Sequence, residues 1–289
     1  MKDSPVIVGT DGSETSLRAV EWAAREAVLH GWPLRIAAVP ALLPRMSWYQ
    51  HSGPPSVTDI VHARAEQALA TAATRAAEIE PEVEMSTTLL TGAPARALAG
   101  AGQDASMLVV GSRGGGGFAA LLLGSVSRDV AFAAGCPVVV AREETMAVHR
   151  QIVVGVHDLD QPNALSFAFE EARHRQARLQ VTYAWQLFLP AMRLTGTERP
   201  GADPQWVTAE AARWLAGLIG PWREKYPDVE VAEDVVHAAP SRIMIAASAR
   251  ADLLVLGRNS PPDLDSHDSA AVAHAVLNHA HCPVAIIPE

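Results

Sequence analysis

The sequence predicts an α/β protein built from two doubly wound parallel-sheet domains in tandem, with five strands in each. Three observations predict it. The chain has 289 residues, about twice the common domain size of ~100–150. A single offset, the one that carries Val6 onto Ile152, superposes the two halves without a gap, which marks a duplicated unit. Within each half, short apolar runs alternate with longer amphipathic stretches, the pattern of parallel strands joined by helical crossovers.

The repeat is visible at landmarks spread over its whole length. Val6-Ile7-Val8-Gly9 falls on Ile152-Val153-Val154-Gly155, and Pro81-Glu82-Val83-Glu84 on Pro227-Asp228-Val229-Glu230. Ala93-Pro94-Ala95-Arg96 falls on Ala239-Pro240-Ser241-Arg242, and Leu108-Val109-Val110-Gly111 on Leu254-Val255-Leu256-Gly257. Cys136-Pro137-Val138 falls on Cys282-Pro283-Val284. In the first half, Val6–Val8, Leu34–Val39, Met85–Leu90, Met107–Val110 and Pro137–Ala141 read as buried strands, β-branched or Leu-rich and bounded by Gly or Pro. Ser16–Leu29, Thr58–Ile79, Ala95–Ala101 and Val126–Ala134 read as the intervening helices. The second half repeats the strands at Ile152–Val156, Leu179–Trp185, Val231–Val236, Leu253–Leu256 and Val284–Ile287. The expected domains are residues 1–145 and 150–289, joined by a polar linker from Arg142 to Arg150.

Composition narrows the function. With 49% hydrophobic and 19% charged residues the chain is an ordinary globular one, neither disordered nor fibrous. A net charge of −9 without basic runs argues against nucleic acid and against an anionic membrane face as partners. Two cysteines make no disulfide framework, and the carboxylate-bearing start Met1–Pro5 is unlike a signal peptide. No apolar stretch approaches the ~20 residues that span a bilayer. The expected compartment is the cytoplasm.

Gly111-Ser112-Arg113-Gly114-Gly115-Gly116-Gly117, then Phe118–Leu123 and Gly124-Ser125-Val126-Ser127, is the sharpest local signal. It begins directly after a strand and ends by opening a helix, where an anion site belongs. Glycines let backbone N–H groups come close to a phosphate, and the helix start adds unpaired N–H donors with partial positive charge. Ser125 and Ser127 offer hydroxyl donors and Arg113 a cation at the rim.

Gly111-x2-Gly114-x9-Gly124-Ser125 resembles the spaced glycine motif of the ATP-binding universal stress proteins. The opening Val8-Gly9-Thr10-Asp11-Gly12-Ser13 and the closing Gly135-Cys136-Pro137-Val138-Val139-Val140 are similar to that family's first and last strands, and the resemblance covers both halves. It implies a Rossmann-like, adenine nucleotide α-hydrolase-like fold that holds ATP, with a magnesium ion left open. It further implies that Asp11 lies by the ribose, phosphates or metal, that the backbone of Val39 faces the adenine, and that Gly9 is among the nucleotide-binding residues. Gly111, Arg113, Gly114, Gly124, Ser125, Val126 and Ser127 would form the phosphate and ribose loop. Pairing of the two halves through Val138–Ala141 and Val284–Ile287, and a homodimer of chains, follow from the same resemblance.

The second half departs from the motif. Gly114 becomes Ser260, Gly124 Ala270, Ser125 Ala271 and Ser127 Ala273, while Asp11 becomes His157 and Val39 becomes Trp185. The glycine run is replaced by Ser260-Pro261-Pro262-Asp263-Leu264-Asp265, which lacks backbone donors at the prolines and adds carboxylates that repel phosphate. One nucleotide per chain is therefore expected, in the first half.

Other features stand beside this reading. His267, His274, His279 and His281 match no zinc spacing and are expected on an exposed helix face. Cys136 and Cys282 are equivalent across the repeat, so each is expected to pack in its own domain. The segments Pro40–Ser56 and Gln186–Trp206 suit lids or subunit contacts equally. Three functions remain open: a non-enzymatic ATP-binding stress protein, a slow ATPase or nucleotide-transferring enzyme on the same fold, and a structural module without nucleotide. The loop lacks the Lys-Ser/Thr ending of a Walker motif, and Asp11 alone offers itself as a base.

Overall fold

Inner strands hold runs in which every residue is apolar and without access to water, as Val6, Ile7 and Val8, and again Val138, Val139 and Val140, are fully buried. The expected buried run at Met85–Leu89 instead carries Ser86, Thr87 and Thr88 and is half-buried to exposed, as suits a strand at a sheet edge. A strand buried on both faces reads as a continuous β-branched run rather than an alternating one. The structure, a computed structural model, describes residues 4–40, 57–114, 123–142, 148–157, 161–185, 204–258 and 266–289. It divides into two compact units, residues 1–145 with 283–288, and residues 146–282 with 289.

In the first unit β1 (Val6–Gly9), α1 (Glu14–His30), β2 (Leu34–Ala38), α2 (Val57–Ile79), β3 (Met85–Leu89), α3 (Pro94–Ala101), β4 (Met107–Gly111), α4 (Ser125–Ala133) and β5 (Val138–Ala141) follow in order. β1 lies between β2 and β4, parallel to both, with Val6 opposite Leu34 and Met107. The order is β3-β2-β1-β4-β5. Helix α1 shows why these segments fold where they do. Ser13 caps it, accepting from Ser16 N, and Gly31 ends it at φ 67°, returning its N–H to Ala27 and Val28. Between these ends Leu17, Val20, Ala24 and Ala27 form the buried stripe of an amphipathic helix. β1 and β4 are neighbours reached by different crossovers, so their carboxyl ends open a crevice at the point where the strand order reverses.

The second unit repeats the plan with β6 (Gln151–Val156), α5 (Pro162–His174), β7 (Arg178–Trp185), α6 (Pro204–Lys225), β8 (Val231–His237), α7 (Pro240–Ser248), β9 (Leu253–Arg258) and α8 (Ser266–His279). Its strands run β8-β7-β6-β9, all parallel. The fifth strand of the repeat is β10 (Val284–Pro288), whose contacts group it with the first compact unit. There it runs antiparallel to β5, with Val284 opposite Val140, Ala285 opposite Val139 and Ile286 opposite Val138. The expected pairing of these two last strands is present. Its physical reason is that Val138–Ala141, all apolar, would otherwise be an unpaired sheet edge.

Smaller expectations resolve as follows. Cys136 and Cys282 are free and buried, and Cys136 Sγ lies 2.9 Å from the place a side chain on Gly102 would occupy. His279 and His281 are exposed and His274 half-buried, while the side chain of His267 lies outside the described residues. Of the two long segments after β2 and β7, residues 41–56 and 186–203 lie outside the described residues. The second one ends earlier than expected, because α6 already begins at Pro204 and Trp206 stands in its first turn, exposed. Pro at the first helical position explains that start, since its missing N–H would have had no partner there. Of the linker, residues 143–147 lie outside the described residues, as do residues 1–3.

Candidate functional site

β1 and β4 end side by side, and each must turn back within a few residues. After β1, Thr10 N still donates to Ala37 O at 2.9 Å. The chain then folds on its own short polar side chains. Asp11 Oδ1 accepts from Ser13 N at 3.0 Å and from Ser13 Oγ, the turn that Asp makes with the residue two positions on. Ser16 Oγ donates to Ser13 O at 2.8 Å and lies 3.0 Å from Thr10 Oγ1, which accepts from Gly12 N at 3.2 Å. These bonds fix the direction of the exposed Asp11 carboxylate.

The loop after β4 is anchored against that turn. Gly111 has to be glycine, because a Cβ would stand 2.7 Å from Thr15 O, main chain against main chain. Thr15 Oγ1 donates to Arg113 O at 2.6 Å, and Gly124 N donates to Ser112 O at 2.8 Å, closing the base of the loop. Residues 115–122 lie outside the described residues. Gly114 sits against the aspartate, since a Cβ there would come within 2.6 Å of Asp11 Oδ2. The structure thus brings Asp11 to the glycine loop.

Gly124 differs from both. A Cβ on it would meet nothing closer than 3.6 Å, and its φ of −72° and ψ of 150° suit any residue. The protein itself does not require glycine there. Gly124 is nevertheless the N-cap of α4, and it provides no side-chain cap. Among the described residues the N–H groups of Ser125, Val126 and Ser127 meet no acceptor. A helix start with its first donors unmatched carries partial positive charge and is a ready seat for an anion. The exposed Ser125 stands beside these donors.

Four more of the expected site residues are placed as follows. Ser127 does not offer its hydroxyl outward: it is buried, and its Oγ donates to Gly111 O at 2.6 Å, tying α4 to the end of β4. Gly9 is a packing glycine, where a Cβ would press on Leu98 Cδ1 at 3.0 Å. Val39 is half-buried, one residue beyond β2. Arg113 is exposed at the rim, held by its carbonyl rather than by its side chain.

The equivalent place in the second unit is built from the same backbone and filled differently. α8 starts at Ser266, whereas the repeat puts the counterpart of Ser125 at Ala271. Ala271 and Val272 are therefore inside the helix, where N–H groups bond back to carbonyls four residues earlier. At Gly257, the counterpart of Gly111, a Cβ would meet Gln161 Nε2 at 2.7 Å and Glu289 Oε1 at 3.0 Å. The Glu289 carboxylate accepts from Asn163 N and Ala164 N, both at 3.0 Å, and so occupies the start of α5. The buried Gln161 brackets His157, its Oε1 accepting from His157 N at 3.1 Å and its Nε2 lying 2.7 Å from His157 Nε2. Because that amide oxygen is already placed by the backbone N–H, the NH₂ faces the ring and His157 Nε2 accepts. Trp185, in the place of Val39, stacks on His237 at 4.1 Å between ring centres. A cavity of about 240 Å³ remains at the ends of β6, β7 and β9, lined by His157, Thr182, Ala184, Met244, Leu256 and Val272 among others. The sequence does not signal Glu289, because its partners Asn163 and Ala164 are brought near only by the fold.

Comparison with known proteins agrees with this architecture. The model of the universal stress protein family matches residues 4–142 and again 149–288. The chain is 32% identical to a universal stress protein of Mycobacterium tuberculosis, Rv2005c, over 99% of this chain and 97% of that one. It is 30% identical to a universal stress protein of Mycolicibacterium smegmatis, over 98% and 96%. Among solved structures, a universal stress protein from Archaeoglobus fulgidus covers 98% of this chain and 98% of its own at 18% identity, with a TM-score of 0.70, a likeness of fold. Among the described residues no helix is long and apolar enough to cross a membrane. Two matches of one family model over nearly the whole chain, and two full-length relatives, leave one assignment: the chain belongs to the universal stress protein family, as a tandem of two of its domains.

Proposed function

We propose that the first unit is an ATP-binding site and that the protein is a nucleotide-responsive binder in the stress response, with one nucleotide per chain. The observation that carries this reading is the uncapped start of α4 beside main chain left bare at Gly111, Gly114 and Gly124. The donors of Ser125, Val126 and Ser127 would hold phosphate oxygens, with the Ser125 hydroxyl and the Arg113 guanidinium adding to them. Asp11 would accept from ribose hydroxyls or, through a magnesium ion, steady the phosphates. Val39 would border the base, and Gly9 would help the site by letting Leu98 close beneath it. In the second unit the matching donors lie inside α8 and a carboxylate occupies the start of α5, which supports a single site. The same reading places the protein in the cytoplasm as a homodimer; two free buried thiols suit a reducing compartment.

Calorimetric titration with ATP, ADP and AMP, with and without magnesium, tests it, together with nucleotide released on denaturing freshly purified protein. One ATP per chain, recovered intact, is the expected result. Steady conversion of ATP to ADP would replace the binder by an enzyme, and an empty site at saturating ATP would leave a structural module.

A further inference from the structure

We infer, resting on the reading that the first unit seats a nucleotide, that Thr15 is a positioning residue of the phosphate loop. Its hydroxyl turns the Arg113–Gly114 peptide so that the Gly114 N–H stands ready as a further donor to phosphate. Thr15 lies in the first turn of α1, outside the glycine motif. Its Oγ1 donates at 2.6 Å to Arg113 O, 98 residues further along the chain. The other hydroxyl within reach, Ser13 Oγ at 3.2 Å, gives its own hydrogen to Asp11 Oδ1. The single hydrogen of the Thr15 hydroxyl is thus committed to the loop.

A trans peptide is planar, with its C=O and N–H on opposite sides. Holding the Arg113 carbonyl toward α1 therefore turns the Gly114 N–H away from α1. That N–H meets no acceptor among the described residues. The bond from Gly124 N to Ser112 O holds the preceding peptide, so among the described residues this one is held by Thr15 alone. A peptide beside glycine has the most conformational freedom to lose. Ordering it before the ligand arrives removes that cost from binding. In the second unit the same position of the repeat is Gln161, and its amide serves the end of β6 instead. Its Oε1 accepts from His157 N at 3.1 Å, and its Nε2 lies 2.7 Å from His157 Nε2. The unit that lacks the glycine run thus turns this position to another use.

Thr15→Val keeps the branched shape and loses the hydroxyl, whereas Thr15→Ser keeps the hydroxyl. Arg113-Gly114 is the one Arg-Gly pair in the sequence. The full chain labelled with carbonyl-¹³C arginine and ¹⁵N glycine therefore gives a single carbonyl-linked amide signal, which reports both ends of this peptide. ATP is expected to move the Gly114 amide in a saturable way in the wild type and in Thr15→Ser. In Thr15→Val the Arg113 carbonyl signal should shift before any ligand is added, with the circular dichroism unchanged. Calorimetry should then find ATP bound about five- to thirtyfold more weakly by Thr15→Val, the cost of ordering one residue. Thr15→Ser should bind ATP as the wild type does. Should Thr15→Val misfold, the Gly114 amide and Thr15→Ser decide the matter. Three results would overturn the role of Thr15 alone: Thr15→Val binding ATP as tightly as the wild type, Thr15→Ser failing to restore binding, or a Gly114 amide indifferent to ATP in a chain that binds it. A wild-type chain that takes up no ATP would overturn the nucleotide reading itself, and this inference with it.

Discussion

Replacing Gly124 by Asp should make the protein more stable and destroy its affinity for ATP. Gly124 is an N-cap with extended backbone angles and at least 3.6 Å of clearance around a new Cβ, so an aspartate enters without strain. Its carboxylate would accept from the N–H groups of Val126 or Ser127, which have no acceptor among the described residues. An Asp cap improves on Gly by a few tenths of a kcal/mol. The favourable field at a helix start adds about 0.3–1 kcal/mol. At about 2–4 °C per kcal/mol, the melting temperature should rise by about 1–5 °C. The same carboxylate would occupy the seat of the phosphates. Two charge-assisted hydrogen bonds at about 1.5–3 kcal/mol each are then lost, so affinity should fall by at least about a hundredfold. Thermal melts followed by circular dichroism, and calorimetric titration of ATP into the same preparations, read the two effects. A misfolded variant would lose both properties together, so opposite signs are diagnostic. Unchanged ATP affinity in a variant that melts higher would show that the start of α4 is not the phosphate seat.

Ser127→Ala removes the hydroxyl that ties α4 to Gly111 O and should cost about 1–3 kcal/mol, read as a lower urea midpoint; no change would mean the tie is ornamental. Gly114→Ala should weaken ATP binding by pushing aside Asp11, whose Oδ2 is 2.6 Å from the new Cβ; the crystal structure of the variant would show the carboxylate displaced. Glu289→Ala uncaps α5 at Asn163 and Ala164 and should destabilise the protein by about 0.5–2 kcal/mol, seen in the same urea melts. Saturating calorimetry of the wild-type chain should give one ATP per chain, and two equivalent sites would refute the contrast between the units.

Much of the fold was open to reading because its signals are local and repeated. Val6–Val8 and Val138–Val140 can hardly be anything but buried strands, and a second copy of each landmark removes the ambiguity of a single short run. The glycine loop was legible for the same reason, as a spacing placed between a strand and a helix. What could not be read were roles decided by a partner distant in the chain. Ser127 looks like a free hydroxyl donor until Gly111 O is found 2.6 Å away. Gly9, Gly111, Gly114 and Gly124 look alike in a motif. Yet a Cβ would strike Leu98 at the first, main chain at the second, a carboxylate at the third and nothing close at the fourth. Trp185 likewise gives no hint of its stacking on His237.

That last distinction among glycines identifies which part of the motif belongs to the fold and which to the ligand. The counterpart of Gly111 in the second unit is again a glycine, Gly257; a Cβ would meet main chain, Thr15 O, at the first and the side-chain ends of Gln161 and Glu289 at the second. Gly124 answers to no such pressure, and its counterpart is Ala270, inside a helix that begins at Ser266. If the second unit seats no phosphate, a side chain at this position does no harm, and the donors matching those that stand open at Ser125, Val126 and Ser127 lie in its helix interior, bonded to carbonyls four residues back. The uncapped start of α4 is thus a stability cost that the first unit bears at this position of the repeat, where the second unit has helix interior. A feature that the fold neither needs nor benefits from is best explained by what it binds.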